Sequence, residues 1–280
     1  METLRPRHTG FCFGVRDALA LTGAALDASG DAAALGQVVH NSRALEALEA
    51  KGLRQIKELP AQSRAPVVIT AHGATPELFR RAEVSGLEVV DTTCPLVRRV
   101  QRHAQELAEQ DLPVVIVGHQ HHQEVVGVAG WAGSGQGREV TVISTLEEAD
   151  ALPYRERRGI VCQSTFPQPL FREIAERVAR RTGQLEVRDT TCPVVNQRQR
   201  EALNGLLDQV DVVVVVGGRN SANTVALAQA CAARRPTHHV ESAAEVRPEW
   251  FREGQRVGIT SGTSTPGWVV DEVEEACRDI

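Results

Sequence analysis

With 280 residues, 42% of them hydrophobic and 24% charged, the chain has the balance of a globular protein, which excludes disordered, collagen-like and low-complexity readings. A net charge of −5 argues against a general nucleic-acid binder. The longest apolar run, residues 212–216, is far too short for a membrane span, and the N-terminal stretch around Glu2, Arg5 and Arg7 carries no export signal, so a reducing, cytoplasmic setting is expected.

In chain order, helical periodicity is expected over residues 15–28 and 44–51, then a strand at 66–70 (PVVIT) and a helix at 76–85. A strand at 88–91 leads into a helix at 97–110, and a strand at 113–118 (PVVIVG) is followed by polar residues and a glycine-rich loop at 130–137. Strands at 140–144 and 159–162 precede a helix at 169–181 and another at 197–210. The last third reads strand 211–217, helix 221–233, strand 256–260 and helix 266–276. Several strands are apolar throughout, as parallel strands covered on both faces must be. The alternation predicts an α/β fold with mainly parallel sheets.

An internal repeat sharpens this. Asp91-Thr92-Thr93-Cys94-Pro95 returns a third of the chain later as Asp189-Thr190-Thr191-Cys192-Pro193. Both copies follow a strand and open a helix, and Cys12, in GFCFGV, sits at a similar turn. The chain therefore divides into pseudo-symmetric modules, expected as residues 1–93 with the Cys12 turn, 94–191, and 192–280 with the C-terminal helix. Each third also carries polar loops where strands end: His40 and His72 in the first; His122, Glu124, Ser164 and Thr165 in the second; Ser221, Asn223 and Ser264 in the third. Such loops, at the carboxyl ends of strands and the amino ends of helices, have the donors that bind phosphate.

Six cysteines without a CxxC pair exclude zinc-finger and ferredoxin spacings, so any metal site must be assembled from distant segments. Three thiolates can hold zinc; soft ligands without nearby histidine suit an iron–sulfur cluster better. Held by three cysteines, a [4Fe–4S] cluster has one open iron, able to polarise a substrate oxygen. Cys162, Cys231 and Cys277 read as buried small hydrophobes. His8, His103, His119, His121, His238 and His239 read as ordinary surface or capping residues. Ser221, Asn223 and Ser264 are also good helix caps, a role compatible with phosphate binding at the same helix end.

Together these motifs resemble the 4-hydroxy-3-methylbut-2-enyl diphosphate reductase (IspH/LytB) family of the non-mevalonate isoprenoid pathway. The likeness runs through GFCFGV (10–15), VVHN (38–41), AHG (71–73), DTTCPLV (91–97), HQEVVG (122–127), QST (163–165), GGRNSANT (217–224) and SGTSTP (261–266). It implies three α/β domains in a trefoil around a central [4Fe–4S] cluster held by Cys12, Cys94 and Cys192. It implies a diphosphate bound by His40, His72, His122, Ser221, Asn223 and Ser264, a proton from Glu124 with Ser164 in its network, and Thr165 beside the substrate. The implied reaction is a two-electron reductive dehydroxylation giving isopentenyl and dimethylallyl diphosphate, with reduced ferredoxin or flavodoxin as donor and no nucleic-acid or membrane partner. A related enzyme reducing another diphosphate, a non-catalytic iron–sulfur sensor and a zinc hydrolase are the competing readings. The chain departs from the family pattern at Val195 and Ser164, where threonine is usual, at Gln123, where proline is usual, and at Ala222.

Overall fold

Short β-branched runs flanked by helices build three four-stranded sheets in a computed structural model that describes all residues except 7, 8, 40, 134, 136 and 195–198. The chain forms two compact units: residues 1–16, 39–50 and 193–280, and residues 17–38 and 51–192.

The larger unit contains two sheets. The first has the order β3-β2-β4-β5, from β2 (Ala32–Leu35), β3 (Leu53–Ile56), β4 (Val67–Ile69) and β5 (Val89–Asp91). The second has the order β7-β6-β8-β9, from β6 (Val114–Val117), β7 (Val140–Ile143), β8 (Arg155–Cys162) and β9 (Thr182–Val187). Every pairing in both is parallel. Alternate residues of β6 and β8 face two apolar layers. Ile116 and Val161 pack with Val100, Leu107 and Val125, while Val117 and Ile160 pack with Phe171, Ile174 and Val178. Each such aliphatic side chain contributes about 1.5–3 kcal/mol by leaving water.

The smaller unit contains the third sheet, β1-β12-β10-β11, from β10 (Val212–Val216), β11 (Thr237–Val240), β12 (Arg256–Ser261) and β1 (Glu2–Leu4). All five valines of β10 are buried. They pack under α10 (Gly267–Arg278) on one face and under α8 (Gln199–Leu207) and α9 (Ala222–Ala232) on the other.

One connection rule underlies all three sheets. The second strand of each module lies at one edge, the first next to it, then the third, then the fourth. The third module obeys the rule only if β1 is its fourth strand. The N-terminal strand and the Cys12 turn after it, expected within residues 1–93, therefore belong to the sheet built from the last third. Glu2–Leu4 pairs in parallel with Arg256–Gly258, and the Cys12 amide donates to the Thr263 carbonyl at 3.0 Å.

The strands that the sequence pattern does not reveal are β1, β2, β3, β9 and β11. Four of these are sheet edges, where polar residues are tolerated and apolar alternation is weak. The fifth, Ala-Ala-Ala-Leu, carries a helix-forming composition and becomes a strand because it is buried throughout, between β3 and β4. Two further helices, α5 (Gln123–Trp131) and α6 (Leu146–Ala151), also escape the pattern. α5 contains Gly127 and Gly130, poor helix formers. Gly130 is needed for close approach, since a Cβ there would lie 2.7 Å from Thr75 Cγ2.

Candidate functional site

The residues singled out in the sequence fall at equivalent points of the repeated topology. After the first strand of each module, a side chain caps the next helix: Asn41 accepts from the Ala44 amide, His122 from that of Glu124, and Ser221 from that of Thr224. After the third strand come His72, Ser164 with Thr165, and Ser264. After the fourth come Cys94, Cys192 and Cys12. Helix amino ends thus face the carboxyl ends of the strands, where partial positive charge gathers.

In the larger unit, one chain of contacts links the expected residues. The His72 and His122 rings lie edge-to-face with centroids 5.4 Å apart. His122 Nδ1 accepts from the Glu124 amide at 3.2 Å, so its ring is neutral with the hydrogen on Nε2. The Glu124 carboxylate accepts from the Ser164 amide at 2.6 Å and from Ser164 Oγ at 2.9 Å. The Ser164 carbonyl accepts from the Cys192 amide at 2.7 Å, and the Ala71 carbonyl, one residue before His72, accepts from the Cys94 amide at 3.0 Å. Thr165 is exposed, its Oγ1 accepting from Gln163 Nε2.

Glu124 is 1% exposed, and among the described residues no cation pairs with it. Burial raises its pKa, the two Ser164 donors pull it back, and the balance leaves it at about 7 instead of 4.5. A carboxyl poised there exchanges a proton near neutral pH.

In the smaller unit, Ser264 Oγ donates to Ser221 Oγ at 3.2 Å, and Asn223 Nδ2 donates to Thr263 Oγ1 at 3.2 Å. Because the Thr263 carbonyl also holds the Cys12 amide, the third cysteine turn hangs from the loop that presents Ser264. His40 lies outside the described residues.

The two DTTCP turns are built alike. Asp91 Oδ1 accepts from the amide and hydroxyl of Thr93, and Asp189 Oδ1 from those of Thr191. Thr92 donates to the Ile69 carbonyl and Thr190 to that of Cys162, each pinning the turn to the strand alongside. None of the six cysteines is in a disulfide. Cys162, Cys231 and Cys277 are fully buried, and burial pushes their thiols up, to about 12 for Cys231 and about 11 for Cys277, which leaves them poor ligands and nucleophiles. Cys12 and Cys94 are partly exposed at helix amino ends. The thiolate donors of these turns fit an iron–sulfur cluster or zinc rather than hard cations. Among the described residues no three His, Cys, Asp or Glu side chains crowd together to hold a single ion. In a four-iron cluster each cysteine ligates its own iron, so its ligands need not converge on one atom.

A family model described as LytB protein matches residues 4–278. The chain belongs to the LytB family. Curated relatives named 4-hydroxy-3-methylbut-2-enyl diphosphate reductase include that of Geobacter metallireducens, 37% identical over 100% of this chain and 98% of its own length. Another, from Pelobacter propionicus, is 37% identical over 98% of this chain and 96% of its own length. A solved structure of (E)-4-hydroxy-3-methyl-but-2-enyl diphosphate reductase, described as the terminal enzyme of the non-mevalonate pathway, superposes with a TM-score of 0.79 at 33% identity, covering 100% of both chains. The reductase from Plasmodium falciparum shares the fold, with a TM-score of 0.87 at 22% identity over 98% of this chain and 87% of its own length.

This LytB chain also uses residues to which the sequence motifs assign no individual role. Thr263 bridges Asn223 and Cys12, yet a threonine in a polar loop carries no signal of its own. Gln163 Oε1 accepts from the His119 amide at 3.0 Å and fixes the turn before His122. Gln123, at the usual proline position, donates to the Leu35 carbonyl at 3.0 Å and ties α5 to the end of β2. Ser164 keeps the hydroxyl of the usual threonine in use, on Glu124. Val195 lies outside the described residues.

Gly262 makes the smaller unit's loop possible, since a Cβ there would lie 2.0 Å from Thr224 Oγ1 and 3.4 Å from Thr224 Cα. Gly262→Ala must push α9 from the end of β12 and separate Ser221 from Ser264. We expect a loss of about 1–3 kcal/mol in thermal or denaturant unfolding, together with a raised KM. A variant with unchanged KM would show that this spacing does not matter to binding.

Proposed function

We propose that this LytB chain reduces 4-hydroxy-3-methylbut-2-enyl diphosphate to isopentenyl and dimethylallyl diphosphate. The observation carrying this reading is Glu124: a buried carboxyl with a pKa near 7, joined through Ser164 to the Cys192 turn and through its own amide to His122. The stoichiometry is two electrons and two protons per turnover. The carbon–oxygen bond breaks, the hydroxyl departs as water with one proton, and the other proton adds to carbon.

His72, His122, Ser221, Asn223 and Ser264, with His40, bind the diphosphate in this reading, and Thr165 lies beside the substrate. His122 donates from Nε2, because Nδ1 is committed to the Glu124 amide. Glu124 hands its proton to the hydroxyl, which converts a poor leaving group into water. Ser164 holds the carboxyl in place by two hydrogen bonds and stabilises the anion left behind. Cys12, Cys94 and Cys192 would hold a [4Fe–4S] cluster. Bound there, it would supply the electrons and an open iron acting as a Lewis acid. Reduced ferredoxin or flavodoxin is the proposed donor, in the cytoplasm; among the described residues no helix is long and apolar enough to cross a membrane.

The test is anaerobic reconstitution with iron and sulfide, followed by turnover with a chemical reductant. Brown protein that releases water and both products supports the reading. Colourless, iron-free protein, or a reconstituted protein inert toward this substrate, overturns it.

A further inference from the structure

Thr263, in the smaller unit, has no part in the reaction proposed above. It is half-buried and lies in the loop between β12 and α10, one residue before Ser264. Its backbone carbonyl accepts from the Cys12 amide, and its Oγ1 accepts from Asn223 Nδ2 at 3.2 Å. A hydroxyl has one hydrogen of its own to give as well. Two neighbouring hydroxyls spend theirs inside the protein: Ser264 Oγ donates to Ser221 Oγ at 3.2 Å, and Thr265 Oγ1 donates to the Val216 carbonyl at 3.0 Å. Among the described residues no acceptor takes the Thr263 hydrogen.

The same accounting holds for two residues already placed on the diphosphate. Ser221 Oγ accepts from Ser264 and from the Thr224 amide at 3.4 Å, so its own hydrogen is uncommitted among the described residues. Asn223 Nδ2 gives only one of its two hydrogens to Thr263. Three donors with a hydrogen to give therefore sit together at the amino end of α9 and in the loop after β12. A diphosphate offers nothing but acceptor oxygens, and its charge strengthens each hydrogen bond it receives. We infer, on the diphosphate reading given above, that Thr263 is a further substrate-binding residue, whose O–H donates to the phosphate group that Asn223 also meets.

Calorimetric titration of the anaerobically reconstituted holoprotein with dimethylallyl diphosphate tests this. Thr263→Val keeps the branched shape and removes the hydroxyl. The Cys12 amide bonds the backbone at this position, so iron content and the unfolding midpoint should hold. The dissociation constant and KM should each rise about tenfold, the usual loss of a hydrogen bond to a charged group, with kcat within about twofold of wild type. Thr263→Ser should bind within about twofold of wild type, because it restores the donor. Thr263→Ala should show the same loss as valine if valine disturbs the Cys12 turn and lowers iron. In an Asn223→Ala background, Thr263→Val should still weaken binding about fivefold, because its donor reaches the ligand itself. No further loss in that background would mean that Thr263 acts only by holding Asn223, and the direct contact would be wrong. A Thr263→Val protein that binds as tightly as wild type overturns the contact and leaves the substrate reading intact; a wild-type protein that binds no diphosphate overturns both.

Discussion

Glu124→Gln should lower turnover by about 10²–10⁴-fold, the usual share of a positioned general acid, while iron content and substrate binding hold. Glutamine keeps the shape and still accepts one of the two Ser164 hydrogen bonds, but has no proton to give. The pH profile separates this from a structural effect. Protonated Glu124 is the competent form, so wild-type kcat should fall as pH rises through about 7, and the residual activity of the variant should lack that limb. A kcat within threefold of wild type would remove Glu124 from the mechanism. Stability gives a second readout. The folded carboxyl has its pKa raised above the unfolded value of 4.5, so the folded state retains a proton that the unfolded state has lost across pH 4.5–7. The contribution is fully present below 4.5 and is lost as pH rises to about 7, a change of roughly 3 kcal/mol at about 1.4 kcal/mol per pH unit. The difference in unfolding free energy between wild type and Glu124→Gln should fall by that amount across the window; a constant difference would show that Glu124 does not titrate there.

Cys192→Ser should cost the holoprotein its iron, its brown colour and its turnover together, whereas Cys231→Ser should keep all three. The hydroxyl is a hard, protonated ligand where the cluster needs a thiolate, and changing a ligand itself should exceed the ~10–100-fold loss typical of changing an outer-shell partner. At Cys231 the sulfur lies fully buried beside Leu203, Leu207 and Leu227, so serine there costs about 1–3 kcal/mol of stability through an unsatisfied hydroxyl and touches no chemistry. Metal and sulfide analysis after identical reconstitution is the measurement. A Cys192→Ser protein with full iron, or a Cys231→Ser protein without it, would refute the assignment of ligands.

Much of this was legible in the chain because the same physics leaves the same trace each time. The buried strands β4, β6 and β10 are runs of valine and isoleucine, since both faces are covered. The DTTCP turns repeat because each needs an aspartate to accept two hydrogen bonds and a threonine to pin the neighbouring strand, and in the first copy the proline starts a helix. Edge strands such as Thr-His-His-Val in β11 were hidden, because an edge is stabilised by its neighbour rather than by its own composition. α5 was hidden because its glycines serve packing against Thr75, not helix propensity. Thr263 and Gln163 were hidden because they act through backbone geometry, which residue type does not encode. The protonation of Glu124 was readable only as a need: the residue is acidic in sequence, and it is burial that lifts its pKa to about 7.

The placement of β1 bears on how the protein is made. The third sheet joins β1 to β12, about 250 residues later in the chain, with the Met1 ammonium donating to the Arg278 carbonyl at 2.9 Å. A nascent chain that has emerged as far as Cys192 holds the larger unit entire, yet its own N-terminal segment still lacks every strand it will pair with. The larger unit can close on the ribosome. The smaller one must wait for residues 193–280, so the Cys12 turn is set in its sheet only after the Cys94 and Cys192 turns have formed, and a cofactor that needs all three sulfurs loads late.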